Sequence, residues 1–366
     1  MKIIFHYPHV LTDNPSSGSQ LRPRQMQQAF QALGYEVCWV AGTPWQRRRV
    51  MRQLRQAIQQ DPAAYQCVYA EIGPLPNALS GYAHLPVLPN VDHQFLKFCR
   101  QQGLKIGLFY RDIYWNVPSV CADLPFWKRW LLRYYFKLDL SAYARYIDIL
   151  YVPHENMLPY MPVPDNFSGQ VRALPPGAQT EQVASNSIAA QKPLHLLYVG
   201  GVGALYRVDL LLEAMRTLQD QSIVLDLCCR AAEWQAYRQR YNVQFPTNVR
   251  VHHLAHADLA PLYQQADIAC LFLAPHVYRH FAMPVKLFEY LGQGKPIAAC
   301  AETAAGEFIA EHDIGWAFPY DATVLADLLH QLCQKPALWQ AKAQQVKAIV
   351  PGHTWQARAH QVVQDL

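Results

Sequence analysis

What most constrains this chain is an alternation that starts twice. Short apolar runs the length of a strand are each followed by a segment with helical spacing. The first series reads as strands at 3–7, 36–41, 67–72, 105–110 and 149–152, with helices at 20–33, 45–60, 95–102 and 126–146. Gly34 ends the first helix, and Val50, Met51, Leu54, Ala57 and Ile58 form the apolar stripe of the second. After a stretch with Pro153, Pro159, Pro162, Pro164, Pro175 and Pro176, a polar segment follows and the alternation restarts. Strands are expected at 194–199, 223–229, 249–252, 268–273 and 297–300, helices at 209–218, 257–265, 284–291 and 303–311, and mostly helix from 324 onward. Strand–helix alternation builds parallel sheets with helices on both faces. The fold class expected is α/β: two Rossmann-like doubly wound domains, 1–176 and 193–350, joined by a linker at 177–192 and facing a cleft where ligands bind.

Composition removes several alternatives. At 366 residues the chain is long enough for two cores, and 51% apolar against 16% charged residues argues against disorder and coiled coil. No run reaches the roughly 18–20 apolar residues of a membrane span, and residues 1–7 read as a strand rather than a leader. The nine cysteines include no Cys-x-x-Cys pair, which points to reduced thiols in the cytoplasm and away from zinc. Charge is uneven: residues 1–180 hold 18 Lys/Arg against 11 Asp/Glu, and the remainder 14 against 16. The first half is therefore the one expected to meet anions.

Two segments carry chemistry in the second half. In 281–297, Pro284 suits a helix start, and Lys286 and Glu289 share a face near the N-terminus, where backbone N–H groups favour an anion. Lys286 can hold a phosphate and Glu289 can accept from ribose hydroxyls; a plain solvent-facing ion pair is the alternative. Gly292, Gly294 and Pro296 end the helix and start the next strand. In 196–214, a strand runs into Gly200, Gly201 and Gly203 and then a helix, as in loops whose amides approach a diphosphate. The third glycine of Gly-x-Gly-x-x-Gly is replaced by Tyr206.

The segment Pro-x-Lys-x-x-Glu-Tyr-x-x-x-Gly-x-Pro resembles the donor-binding helix of GT-B glycosyltransferases, and 196–214 is similar to the first strand, loop and helix of their C-terminal domain. Residues 17–23, with Phe98-Cys99 and the run Ile106 to Trp115, resemble bacterial glycosyltransferases of cell-envelope polysaccharide synthesis. The resemblance implies nucleotide-sugar binding through Gly200, Gly201, Gly203, Lys286 and Glu289, with no cofactor beyond the nucleotide sugar, a UDP-sugar favoured. Many relatives place Arg after the first glycine and Lys five residues later; here Gly201 and Tyr206 stand there, so Arg207 or Arg230 is expected to supply the cation. It also implies that 351–366 crosses back onto the first domain.

Arg111-Asp112 falls where a strand ends and a loop begins, the ligand-facing end in such sheets. Asp112 is the candidate base for an acceptor hydroxyl, with a structural pair or cap as its alternative role. His93, with Asp92, is second choice and Asp13 third. Gly18, Arg22, Arg111 and Tyr114 are expected on the acceptor side. Two basic helices suit the surface of an anionic membrane: one carries Arg47, Arg48, Arg49, Arg52 and Arg55, the other Lys128, Arg129, Arg133 and Lys137 among Trp127, Trp130, Tyr134, Tyr135 and Phe136. Solvated helix faces are the alternative. The sequence holds no Asp-x-Asp, His-Glu-x-x-His or P-loop pattern, so no metal site is expected. His252, His253 and His256 flank a loop near the expected donor side. The expected function is transfer of a sugar to a glycan or lipid-linked acceptor. A nucleotide-sugar epimerase, a non-catalytic scaffold or a nucleic-acid binder remain as alternatives.

Overall fold

The computed structural model describes residues 1–11, 18–81, 84–180, 193–203, 206–241 and 245–366. The chain divides into two compact units, Met1–Gly177 with Trp355–Leu366, and Ala178–Thr354.

In the first unit, β1 (Lys2–Tyr7), β2 (Glu36–Ala41), β3 (Tyr65–Glu71), β4 (Ile106–Phe109), β5 (Ile149–Val152) and β6 (Gln170–Ala173) form one parallel sheet. Its order is β2-β1-β3-β4-β5-β6. The sheet carries α1 (Gly18–Ala32), α2 (Pro44–Gln60), α3 (Val91–Gln101), α4 (Phe126–Tyr143) and the last helix of the chain, α12 (Trp355–Asp365). Ile3, Phe5 and Tyr7 alternate along β1 onto the face where Met26 and Phe30 of α1 meet Trp355, Ala359 and Val362 of α12. Asp365 binds the Tyr151 hydroxyl at 2.9 Å and pairs with Arg172, so the chain end is held by β5 and β6.

In the second unit, β7 (Leu194–Val199), β8 (Ile223–Cys228), β9 (Val249–His252), β10 (Ile268–Leu271), β11 (Ile297–Cys300) and β12 (Gly315–Phe318) pair in parallel as β12-β11-β10-β7-β8-β9. The helices are α5 (Asp209–Thr217), α6 (Ala231–Tyr241), α7 (Ala260–Gln265), α8 (Val285–Gly292), α9 (Ala304–Glu311), α10 (Ala322–Gln334) and α11 (Pro336–Ile349). Both faces are dry. Leu196 and Tyr198 of β7 join one core with Leu212, Met215 and Leu329. Leu197 and Val199 join the other with Leu287, Phe288 and Ile309. The α/β class and the doubly wound character expected from the alternation are therefore present in each unit. Strand order reverses between β1 and β3 in the first unit and between β7 and β10 in the second, and ligands of such sheets bind beyond the carboxyl ends of those strands.

Three elements lie outside the sequence expectation: β6, α6 and β12. β6 is a partly exposed edge strand interrupted by Gln170 and Arg172, so it shows no apolar run, whereas β12, at the edge of the other sheet, is apolar but only four residues long. Pro284 sits one residue before α8 in extended conformation (φ −72, ψ 135) rather than in its first turn. Of the expected linker, 181–192 lies outside the described residues.

Candidate functional site

Helix α8 follows β10 through a 3₁₀ turn at Val277–His280. Leu287, Phe288, Tyr290 and Leu291 bury one side of it, which leaves Lys286 and Glu289 on the other. These two form an ion pair. It is not a solvated pair: the side chains are 28% and 19% exposed, the Tyr263 hydroxyl donates to Glu289 Oε2 at 3.0 Å, and His256 Nδ1 stands 3.9 Å from the same oxygen. The Tyr290 hydroxyl accepts from the Val199 amide at 2.9 Å, so α8 is fastened to the last residue of β7.

Gly200, Gly201 and Gly203 continue from that residue; 204 and 205 lie outside the described residues. The Gly200 amide extends the ladder to the Cys228 carbonyl at 3.0 Å. A Cβ on Gly201 would stand 2.5 Å from the Tyr206 ring and 3.0 Å from Glu233 Oε2, so this glycine makes room for protein atoms. Glu233 also takes the Val202 amide at 3.2 Å. Among the described residues, a Cβ on Gly203 would meet nothing within 4 Å. The two cations expected to serve this loop each have a carboxylate neighbour: Arg207 pairs with Asp209 at 3.0 Å and Arg230 with Glu233 at 3.3 Å.

A cation that the sequence reading missed is Arg279. It stands on the turn after β10, at the reversal of strand order, with its guanidinium 5.6 Å from the Tyr206 ring centre. Burial pulls its pKa below the usual arginine value. Arg279 lies eight residues beyond the last residue of β10 and outside the 281–297 segment, so no local pattern marks it. Of the three histidines, His252 binds the buried Asp226 at 2.8 Å and His253 the Cys229 carbonyl at 2.8 Å. Only His256 reaches the α8 carboxylate. Burial of Asp226 opposes its charge, but hydrogen bonds from His195 and His252 outweigh this and hold it below the carboxylate range.

In the first unit, Asp112 Oδ1 accepts the Tyr114 amide at 2.8 Å and so starts a 3₁₀ turn at Tyr114–Asn116. The Tyr114 hydroxyl donates to the Pro74 carbonyl at 2.6 Å, joining the loops after β4 and β3. His9, beyond β1, completes this edge and was also missed. Any Cβ on Gly73 would stand 1.7 Å from its ring. Burial, helped by Arg47 and Arg111, holds the His9 pKa down at about 4 despite the Leu75 carbonyl.

Four expectations in this unit are corrected. Arg22 is not on an open acceptor surface: it is 3% exposed, its Nε binds Glu71 at 3.2 Å, and its guanidinium lies 3.5 Å from the Phe109 ring centre. His93 has both ring nitrogens engaged, with the Tyr146 hydroxyl at 2.5 Å and Asp139 at 2.8 Å, which is a positioned core histidine rather than a poised base. Asp92 is buried and forked by Arg47 Nε and Nη2 at 2.8 and 2.7 Å, with His6 at 2.7 Å. Arg47 is therefore fully buried and leaves the list of membrane-facing cations, while Arg48, Arg49 and Arg52 are exposed. Gly18 opens α1, and Asp13 lies outside the described residues. Among the described residues, no group of three His, Cys, Asp or Glu side chains is placed to hold a metal, and no helix is long and apolar enough to cross a membrane.

Residues 193–335 match the family model of glycosyl transferases group 1. The chain carries a group 1 glycosyltransferase domain. It is a glycosyltransferase on the GT-B fold. Solved structures extend the likeness in fold to the whole length. A sucrose-phosphate synthase from Thermosynechococcus elongatus is 16% identical, with TM-score 0.63 over 100% of this chain and 98% of its own. A glycosyltransferase from Rickettsia africae is 11% identical, with TM-score 0.65 over 99% and 97%. HepE of Anabaena, solved with UDP and glucose, is 12% identical, with TM-score 0.57 over 100% and 98%. A search of curated proteins found no match. The matched glycosyltransferase segment runs from β7 into α10 and so contains the glycine loop, Arg279, Lys286 and Glu289. Arg111 and Asp112 lie outside it.

Proposed function

We propose that this glycosyltransferase moves a sugar from a nucleotide-diphosphate sugar, a UDP-sugar by preference, to a glycan or lipid-linked acceptor of cell-surface polysaccharide. The observation that carries this is the α8 cluster. Lys286 and Glu289, braced by Tyr263 and tied through Tyr290 to the glycine loop, sit beside the strand reversal where dinucleotide-type ligands bind. That HepE was solved with UDP and glucose supports the donor class.

In this reading Glu289 accepts from ribose hydroxyls. Breaking the bond between the sugar's anomeric carbon and the diphosphate puts negative charge on the leaving phosphate oxygen. Lys286, Arg279 and the first amides of α8 meet that charge without an essential metal. The acceptor hydroxyl forms the new bond to the anomeric carbon, and its proton goes to Asp112 if the configuration inverts. If configuration is retained, Asp112 positions the sugar instead.

Calorimetric titration with UDP, GDP, TDP and CMP tests the reading, with and without EDTA. Selective binding of one nucleotide, insensitive to EDTA and lost in Lys286→Ala and Glu289→Ala, is expected. A folded protein that binds none of them overturns it.

A further inference from the structure

Helix α4 keeps a side that none of the described residues covers. Phe126, Trp127, Trp130, Tyr134 and Leu138 are 76%, 61%, 58%, 48% and 46% exposed. Their three- and four-residue spacings place them on one side of the helix, and Trp130 stacks on Tyr134 at 5.5 Å. Phe136, Leu140 and Tyr143 take up the opposite, buried side. Single exposed apolar residues are ordinary, but a continuous aromatic row of this length marks an interaction surface.

Charge identifies the occupant. From Phe126 to Leu138 the helix carries Lys128, Arg129, Arg133 and Lys137 and no acidic residue; the next residue, Asp139, is buried. The Lys128 ammonium lies 5.3 Å from the Trp127 ring centre. Tryptophan and tyrosine favour the headgroup zone of a bilayer, and lysine and arginine favour its anionic lipids. A second copy fits poorly, because a two-fold contact through this face would set like charges against each other. We infer that α4 seats the enzyme on an anionic bilayer, with Trp127, Trp130 and Tyr134 in the headgroup zone and Lys128 and Lys137 on anionic lipid. The other basic helix does not share this design, since α2 exposes only Trp45 among large apolar residues.

The inner side of α4 connects this seat to the loop after β4. Phe136 stacks on Trp115 at 5.0 Å, and Arg133 Nε donates to the Trp115 carbonyl at 3.2 Å. Trp115 belongs to the turn that Asp112 starts. The inference deepens the acceptor half of the proposed function, since a lipid-linked acceptor lies in the same bilayer. Its test uses neither nucleotide nor acceptor, so failure of the donor reading leaves it standing.

The full chain is co-sedimented with vesicles of phosphatidylcholine alone and with phosphatidylglycerol added, at low and high salt. Two double variants accompany it, Trp127→Ser with Trp130→Ser and Lys128→Gln with Lys137→Gln. Thermal melts and far-ultraviolet circular dichroism check that each is folded. Binding that needs phosphatidylglycerol is expected. The tryptophan pair should weaken it more than tenfold, and the lysine pair roughly thirtyfold at low salt with little further effect at high salt. Absent binding, or equal binding by all three proteins, overturns the inference. So does light scattering that finds a dimer which the tryptophan pair dissolves, since the face then belongs to a second copy.

Discussion

The Tyr290 hydroxyl accepts the Val199 amide at 2.9 Å, and this single bond joins the candidate donor helix to the strand that feeds the glycine loop. Both residues are buried, so Tyr290→Phe leaves the amide without a partner where water does not reach. The expected cost is about 1–3 kcal/mol of stability, read from denaturant unfolding. Because loop and helix lose their tie, KM for the donor should rise more than kcat falls. Unchanged stability and unchanged KM would remove this bond from the argument.

Arg279 makes a separate prediction. If it faces the diphosphate, Arg279→Ala weakens UDP binding at least tenfold and leaves uridine binding unchanged, because the nucleoside makes no demand on the cation. Calorimetry with both ligands decides. Equal losses for UDP and uridine would mean that the residue only shapes the turn at Val277–His280.

Much of this was legible along the chain, and the reasons differ by residue. The α8 segment encodes its own start, polar face and exit within one stretch, so Lys286 and Glu289 stand out without tertiary information. Arg47 was misread as one of a surface run, although it lies four residues before Met51 and eleven before Ile58 on the buried stripe of α2. Its partner Asp92 is 45 residues away, and no local pattern links them. Arg279 and His9 are single residues on loops. What distinguishes them is which strand ends the sheet brings together, and only the strand order shows that.

The buried Arg47–Asp92 pair should be costly to break. Removing one partner leaves the other charge without its counterpart, and Asp92→Ala is expected to cost about 3–5 kcal/mol. Burial opposes the Asp92 charge, but His6 and Arg47 outweigh it and hold the carboxyl far below its ordinary value. The unfolded chain therefore binds this proton first as pH falls. The pair's contribution is complete above about pH 4 and drains away below it. Denaturant unfolding at pH 7 and pH 3 should show a steep loss in the parent protein and a shallower one in Asp92→Asn.

Close packing at Gly292 gives a fourth expectation. A Cβ there would stand 2.0 Å from the Gln179 carbonyl oxygen, a backbone atom that cannot swing aside as a side chain would. Gly292→Ala is therefore expected to destabilise the second unit by about 1–3 kcal/mol, although alanine is the better helix former. A neutral or stabilising result in thermal unfolding would show that residue 179 gives way freely.

His9 titrates in the opposite sense from an exposed histidine. Burial is the main cause, and it holds the folded pKa at about 4, against about 6.5 for the ordinary side chain. Between these values the unfolded chain binds a proton that the folded chain refuses. Stability from this residue is therefore full above about pH 6.5, falls as pH drops through that window, and is constant below about pH 4. The whole effect is at most about 3 kcal/mol. Titration of the histidine ring protons by NMR should find His9 still neutral at pH 5. In His9→Gln, the fall in unfolding free energy between pH 6.5 and pH 4.5 should be shallower than in the parent. A ring that protonates near pH 6.5 would mean that water reaches the end of β1, and the edge formed with Gly73 and Arg111 would then be open rather than packed.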